Sequence, residues 1–268
     1  MSHDVPWPLE SIWQDLVPWV PGLTLELLPR IDSTNAELMR RAQAGHCAPC
    51  LLIAEQQTAG RGRHGRIWHG GDDGAPPGLT FSLGITLAPR DWSGLSLAIG
   101  LSLAQSLHPD ILLKWPNDLW WRDRKLAGIL IETVGAGGAT AARHVVLGVG
   151  LNIGVPAAAD WSVPGAGLTE LLPDSHAAWA MRQLGVPLVQ TLLAFEQHGF
   201  APLQADFNAR DALAGRAVLL SDGTQGVAQG VDASGALCLH TAQGVQWVRS
   251  AEVSVRPWVP SASTLGPE

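Results

Sequence analysis

The sequence predicts an α+β protein, with helices packed on a central β-sheet over residues 1–211 and a small β-barrel over 212–258. Three observations carry this. Strand-length apolar runs interleave with helical patterns as far as about residue 209. The run 79–87 alternates strictly, with Leu79, Phe81, Leu83, Ile85 and Leu87 on one face and Thr80, Ser82, Gly84 and Thr86 on the other. After 212 the texture changes to five short strands joined by tight turns. The length of 268 residues suits one large domain with a small appendage, at roughly 100–200 residues per domain.

The elements follow in order. Residues 7–20 have the spacing of an amphipathic helix, and Leu23 to Leu28 reads as a strand. Thr34 with Glu37 fits a capping box, so a helix is expected from about 35 to Gly45. A buried strand follows at Leu51–Glu55, then a Gly/Arg loop through Trp68 and a Gly/Asp/Pro stretch to Gly78. Ser93 to Leu107 is small and apolar at helical spacing, suited to lying on a sheet. Strands are expected at 111–115, 119–122, 126–133 and 145–151, and helices at 176–198 and 202–209. In the C-terminal unit, strands at 216–220, 225–231, 236–241, 245–249 and 253–256 are punctuated by Asp222-Gly223, Ser234-Gly235 and Gln243-Gly244. A unit this small is marginal alone and should pack on the main domain. Residues 259–268 are expected to be a loose tail.

Composition narrows the function. The formal charge of -7 argues against bulk nucleic-acid binding, which needs a basic footprint. No basic run exceeds two residues, so a polybasic membrane anchor is not expected. The longest uncharged stretch, Trp92 to Pro109, is broken by serines, Gln105 and His108 and is no membrane span. Met1-Ser2-His3-Asp4 carries no leader pattern, so a cytoplasmic protein is expected. Cys47 and Cys50, spaced Cys-Ala-Pro-Cys, read as plain loop cysteines: no strand leads into them, and Cys238 is too distant to complete a zinc set. Lysine occurs at only two positions, Lys114 and Lys125, among 17 basic residues. A chain that otherwise writes arginine marks these as places for a compact ammonium.

Three clusters can do chemistry. Gly60-Arg61-Gly62-Arg63-His64-Gly65-Arg66, preceded by Gln57, joins glycines that let backbone approach a ligand to arginines that fork around phosphate or carboxylate. An exposed basic loop is the plainer reading. It is not a Walker A loop. Lys114-Trp115-Pro116-Asn117-Asp118 and Arg124-Lys125-Leu126-Ala127-Gly128 place both lysines at element ends with a carboxylate between them. On the residues alone, Asp118 could equally cap the turn and Lys125 be a solvated charge. Gly148-Val149-Gly150-Leu151-Asn152 is a strand end with room for close approach. With no nucleophile motif present, these groups suit chemistry in which charge builds up on phosphate and the substrate itself attacks.

These motifs, in this order, resemble the bacterial biotin protein ligases, the biotin–[acetyl-CoA-carboxylase] ligases. The resemblance rests on Ser33-Thr34-Asn35, Gln57 with Gly60–Arg66 and Trp68, Lys114–Asp118, Lys125–Ile129 and Gly150–Asn152, and runs from about residue 30 to 257 through Glu132. It implies a catalytic domain with a mixed sheet and an SH3-like C-terminal barrel. The implied activity is two-step. Biotin and ATP, with Mg2+, give biotinyl-5′-AMP, and biotin then passes to a lysine of a biotin carboxyl carrier protein. The implied biotin-binding residues are Ser33, Thr34, Asn35, Gln57, Arg61, Gly62, Arg63, Lys125 and Gly128. For the nucleotide they are Arg66, Trp68 (against adenine), Lys114, Asn117, Asn152 and, more weakly, Arg256. Catalysis would fall to Lys125, Arg63, Lys114 and Asp118, the last orienting or deprotonating the incoming amine. No resident metal is implied.

The sequence departs from the family pattern at 69–78, where Asp72-Asp73-Gly74-Ala75-Pro76-Pro77 lengthens the connection. About 30 residues precede Ser33, too few for the winged-helix domain that some members carry, so neither DNA binding nor repression is expected. A lipoate or octanoate ligase and a non-catalytic biotin-binding protein are the alternatives. A monomer and a homodimer paired through a sheet edge are equally compatible with the sequence.

Overall fold

The structure, a computed structural model, describes residues 6–68, 78–135, 142–156, 164–249 and 255–258. The 259–268 tail and all but Gly78 of the 69–78 segment lie outside them. In chain order the main domain comprises α1 (Leu9–Leu16), β1 (Thr24–Ile31), α2 (Thr34–Gln43), β2 (Cys50–Gln57), β3 (Gly60–Arg61), β4 (Ile67–Trp68) and β5 (Leu79–Leu87). It continues with α3 (Leu95–Leu107), β6 (Leu112–Lys114), β7 (Asp118–Trp121), β8 (Arg124–Val134), β9 (Arg143–Leu151), α4 (Ala177–His198) and α5 (Gln204–Ala209). The C-terminal unit holds β10 (Ala217–Leu220), β11 (Gln225–Val231), β12 (Leu237–Thr241), β13 (Gly244–Val248) and β14 (Val255–Pro257).

Seven strands form the central sheet, in the order β1-β2-β5-β9-β8-β7-β6. It is mixed. β1 and β2 are parallel, which requires the crossover that α2 supplies, and the other pairs are antiparallel. On one face α1, α3 and α4 close the main core with Phe81, Leu83, Ile99 and Phe195. α2 covers the other face, where Leu38 packs on Cys50, Leu52 and Val146. β5 shows the consequence. Its alternation is as predicted, but Thr80, Ser82 and Gly84 are also buried, and only Thr86 is exposed. A polar face can be buried there because its groups are paired: the Thr80 hydroxyl donates to the Ala54 carbonyl at 2.8 Å, and Ser82 meets α2.

Three local expectations change. The N-cap of α2 is Ser33, whose hydroxyl accepts from the Ala36 N–H. Thr34 is the first helical residue, and its hydroxyl faces Gln57 and Ser82 instead. α1 stops at Leu16, because Pro18 has no N–H to continue the ladder. Cys50 opens β2 and is buried, with only Cys47 in an exposed loop, and all three cysteines are free.

The C-terminal unit is a five-stranded antiparallel sheet, β13-β12-β11-β10-β14. Its five short strands are those expected of the barrel, and among the described residues its edges β13 and β14 do not pair. It docks on the main domain as expected. The Trp115 indole donates to the Gly235 carbonyl at 3.0 Å, and Asn208 exchanges bonds with the Val231 backbone.

Asp211 sits in the connection between the two units. Its neighbours Arg210 and Ala212 clasp Leu113, through Leu113 N to Arg210 O at 2.8 Å and Ala212 N to Leu113 O at 2.9 Å. Oδ1 accepts from the Leu213 N–H, whereas buried Oδ2 finds no donor among the described residues. Burial pushes the carboxyl up to about 6. A raised folded-state value means that the group supports folding below its unfolded value and loses that support as pH rises through about 6. Asp211→Asn is therefore expected to raise the melting temperature at pH 8, the gain being at most ~3 kcal/mol at 1.36 kcal/mol per unit. Thermal melts should show the gap to wild type closing by about pH 4, and a gap independent of pH would refute the assignment.

Candidate active site

A cavity of about 560 Å³ opens on the α2 side of the sheet. One end is neutral and polar. Ser33, Thr34 and Asn35 enter it from the start of α2, and Gln57 from the end of β2. The α2 residues and Gln57 are tied together, since Gln57 Oε1 accepts from the Thr34 N–H at 2.7 Å and from its hydroxyl at 3.1 Å. The floor is glycine. A Cβ on Gly148 would stand 2.2 Å from Asn35 Oδ1, and one on Gly150 would stand 2.2 Å from the Trp68 ring. Neither position admits a side chain.

The other end is cationic. The Gly/Arg segment is a tight hairpin, with β3 paired to β4 and the Gly62 N–H bonded to the Arg66 carbonyl at 2.7 Å. Gly65 and, unusually, His64 turn it in the left-handed region, with φ of 72° and 56°. Arg61, Gly62, Arg63 and Arg66 all reach the cavity. Arg63 is half-buried, and desolvation lowers its pKa against the opposing pull of Asp118. Its guanidinium, which no protein environment neutralises, meets Asn117 Oδ1 at 3.5 Å.

Both lysines converge on Asp118. β6 and β7 pair Lys114 opposite Asp118, which sets Lys114 Nζ 3.8 Å from Oδ2. Lys125 Nζ, from β8, lies 2.7 Å from Oδ1. Lys114 is 9 % exposed, and burial lowers its pKa, Asp118 opposing while Lys125, Arg66 and Arg63 add to the fall. Each ammonium also lies over an indole, Lys114 at 5.2 Å from Trp120 and Lys125 at 5.7 Å from Trp68. Gly128 gives Lys125 its room, for a Cβ there would fall 3.1 Å from Nζ.

Most of the expected site residues thus meet in one cavity, and Arg256 joins them from β14 of the C-terminal unit. Asn152 does not line it. Its amide donates to the carbonyls of Lys125 at 3.2 Å and Ala166 at 3.1 Å, and its N–H to Leu126 O at 3.0 Å. It holds the strand that carries Lys125. Asn117 does both, lining the cavity while its Nδ2 donates to Ile129 O at 2.8 Å. Sequence reasoning passed over Ser82 and assigned no site role to Glu132, yet both bond Asn35. The polar face of 79–87 was the signal for Ser82. Glu132 fell within the family resemblance, but its contact with Asn35, 97 residues away, has no local signal.

The cavity therefore offers one end for a neutral polar group and one for an anion rich in oxygens. Residues 27–152 match the Biotin/lipoate A/B protein ligase family and residues 215–256 the Biotin protein ligase C terminal domain. The chain is 32 % identical over 267 residues to the bifunctional ligase/repressor BirA of Escherichia coli, covering 95 % of this chain and 81 % of that protein. It is 37 % identical over 235 residues to the biotin–[acetyl-CoA-carboxylase] ligase of Mycobacterium tuberculosis, covering 80 % and 82 %. Among solved structures, the biotin protein ligase of Aquifex aeolicus in complex with biotin and ATP superposes with a TM-score of 0.71 at 25 % identity, over 88 % of this chain and 99 % of that one.

The Asn152 contacts give a prediction. Asn152→Ala removes a buried amide from two carbonyls and should cost about 1–3 kcal/mol. Urea unfolding should show a lower midpoint with an unchanged slope, whereas unaltered stability would mean that the amide does not hold the Lys125 strand.

Proposed function

This chain belongs to the biotin/lipoate A/B protein ligase family, and from that premise we infer that its cavity is where biotin meets ATP. The protein is an ATP-dependent biotin ligase that forms biotinyl-5′-AMP and transfers the biotinyl group to protein lysine. One observation carries the residue assignment: Lys125 and Lys114, the only lysines in the chain, pair with the two oxygens of Asp118 in the cavity that the polar residues of α2 and the arginine hairpin also line.

In the first step a biotin carboxylate oxygen attacks the α-phosphorus of ATP. The new P–O bond gives the mixed anhydride, the bond to the β-phosphate breaks, and pyrophosphate leaves with the electron pair. Negative charge concentrates on the transferring oxygens, and fixed cations stabilise it without reorganising. We assign Lys125 to the junction of carboxylate and α-phosphate, and Lys114, Arg66 and Arg63 to the phosphates. Asn117 and Arg256 belong at the nucleotide end. Trp68, whose ring occupies the space a Cβ on Gly150 would take and whose buried indole N–H has no partner among the described residues, is assigned to adenine. Ser33, Thr34, Asn35 and Gln57 receive the ureido head, with Gly128 giving the acyl end room.

In the second step the ε-amine of an acceptor lysine attacks the acyl carbon, the bond to the phosphate oxygen breaks, and AMP leaves as the amine loses its proton. We assign Asp118 to orient or deprotonate that amine while holding the two lysines. The acceptor we propose is a biotin carboxyl carrier protein, and the setting the cytoplasm. Among the described residues no helix is long and apolar enough to cross a membrane. Magnesium belongs with the nucleotide. No group of three or more His, Cys, Asp or Glu among the described residues could hold an ion, and both oxygens of Asp118 face ammonium groups.

The reaction is tested by biotin-dependent exchange of pyrophosphate into ATP. Exchange with lipoate alone would overturn it. Lys125→Arg keeps the charge but replaces a point ammonium with a planar fork that pairs bidentately with Asp118. It should slow single-turnover adenylate formation by ~100-fold, about 2.7 kcal/mol in the barrier, and a rate within threefold of wild type would refute the placement of Lys125. Arg63→Gly loosens the hairpin without touching Lys125. Rapid filtration should then show biotinyl-5′-AMP leaving the enzyme faster than from wild type, and equal retention would remove the hairpin from adenylate holding.

A further inference from the structure

We propose that Glu132 is a positioning residue for biotin, fixing through Asn35 and Ser82 the hydrogen-bonding polarity of the neutral end of the cavity; the inference rests on the biotin-ligase reading above. β8 alternates Gly128, Leu130 and Glu132 opposite Gly150, Gly148 and Val146 of β9. Glu132 therefore shares the face of the cavity floor, one step beyond Leu130.

A single chain of polar contacts starts there. Glu132 Oε2 accepts from Asn35 Nδ2 at 2.8 Å. Asn35 Oδ1 accepts from the Ser82 hydroxyl at 2.6 Å. The hydroxyls of Ser82 and Thr34 are 2.7 Å apart, and Thr34 bonds Gln57 Oε1 as described. A carboxylate offers acceptors only, so it dictates the direction of everything beyond it. Asn35 must turn its NH2 toward Glu132 and its oxygen toward Ser82. Ser82 has one proton and spends it on that oxygen. The Thr34 proton then goes to Ser82 Oγ or to Gln57 Oε1, both of which accept, and the Thr34 oxygen is left with a lone pair for the ligand. Gln57 Oε1 is occupied by Thr34, which leaves Nε2 to donate.

The end of the cavity thus presents an acceptor beside a donor, which complements an N–H beside a C=O in a cyclic urea. Without Glu132 the Asn35 amide can turn over; Ser82 then donates to Thr34 and takes up a lone pair that otherwise faces the ligand, while Gln57 stays fixed by the Thr34 N–H. Gly148, having no Cβ, lets the carboxamide pack against the backbone of β9 in space that a methyl group would fill. A strut that merely tied α2 to β8 would need no such order of donors and acceptors.

The experiment compares steady-state pyrophosphate exchange in wild type, Glu132→Leu, Glu132→Gln, Glu132→Asp and Ser82→Ala. Glu132→Leu should raise KM for biotin ~10–100-fold, while kcat and KM for ATP stay within about threefold. Glu132→Gln keeps the reach but can present either its carbonyl or its NH2 to Asn35, so it should recover only part of the loss. Should Glu132→Leu fail to fold, Glu132→Asp, one methylene short, and Ser82→Ala should give the same signature. The double variant Glu132→Leu/Ser82→Ala should be no worse than the poorer single, as expected for one shared chain. An unchanged biotin KM, a fall in kcat alone, equal rises in KM for biotin and ATP, or a Gln variant as good as wild type would each overturn the proposal. Loss of biotin-dependent exchange in wild type would instead overturn the functional reading beneath it.

Discussion

Asp118 is the one carboxylate among the described residues that wall the cavity, and six cations face that cavity with it: Arg61, Arg63, Arg66, Lys114, Lys125 and Arg256. Like charges at such density repel, and several are partly desolvated, so the arrangement is unfavourable until an anion enters. The fall in the Lys114 pKa expresses this: burial leads, and three neighbouring cations add to it. Asp118 makes the cluster tolerable by pairing with both ammonium groups, Lys125 at 2.7 Å and Lys114 at 3.8 Å. An anion rich in oxygens would complete the neutralisation, which is the electrostatic reason to read this end as an anion site.

Holding cations in such a site needs rigid backing. The hairpin turn supplies part of it, and Asn117 and Asn152 supply more by bonding the carbonyls of Ile129, Lys125 and Ala166. These amides keep β8 in place while its side chains face the cavity. The C-terminal sheet adds a wall through Arg256 and is anchored by Trp115, the residue after Lys114. Rigidity has an electrostatic use here: dipoles and charges already in place need no reorganisation when charge develops.

Much of the fold was legible because its signals are local. The alternation of 79–87, the glycine-punctuated strands after 212 and the apolar 93–107 segment each carry their period in a few residues, and each matches an element within a few positions. The misses are of another kind. Thr34 and Ser33 are both good caps, and only the presence of Gln57 and Ser82 in space decides that Thr34 is used elsewhere. Asn152 matches a site motif by position, yet tertiary contacts turn its amide toward backbone. Glu132 lies within the family resemblance, but its role is hidden because its partner is 97 residues away. What the sequence hides is the assignment of buried polar groups to one another, a long-range bookkeeping that no window reveals.

The two ends of the cavity solve different problems, and the lysine count shows how. At the neutral end, discrimination comes from the order of donors and acceptors, which any uncontrolled charge would swamp; its one acid, Glu132, stands behind Asn35 and does not line the cavity. At the cationic end, order matters less than compactness. Lys125 has to fit between Asp118 Oδ1 at 2.7 Å, the Trp68 ring and the backbone of Gly128. Lys114 is buried between Asp118 and Trp120. A guanidinium is broader and would claim both carboxylate oxygens for itself, leaving none for the other cation. In a chain that uses arginine at every other basic position, the two lysines are where one carboxylate has to serve two cations at once.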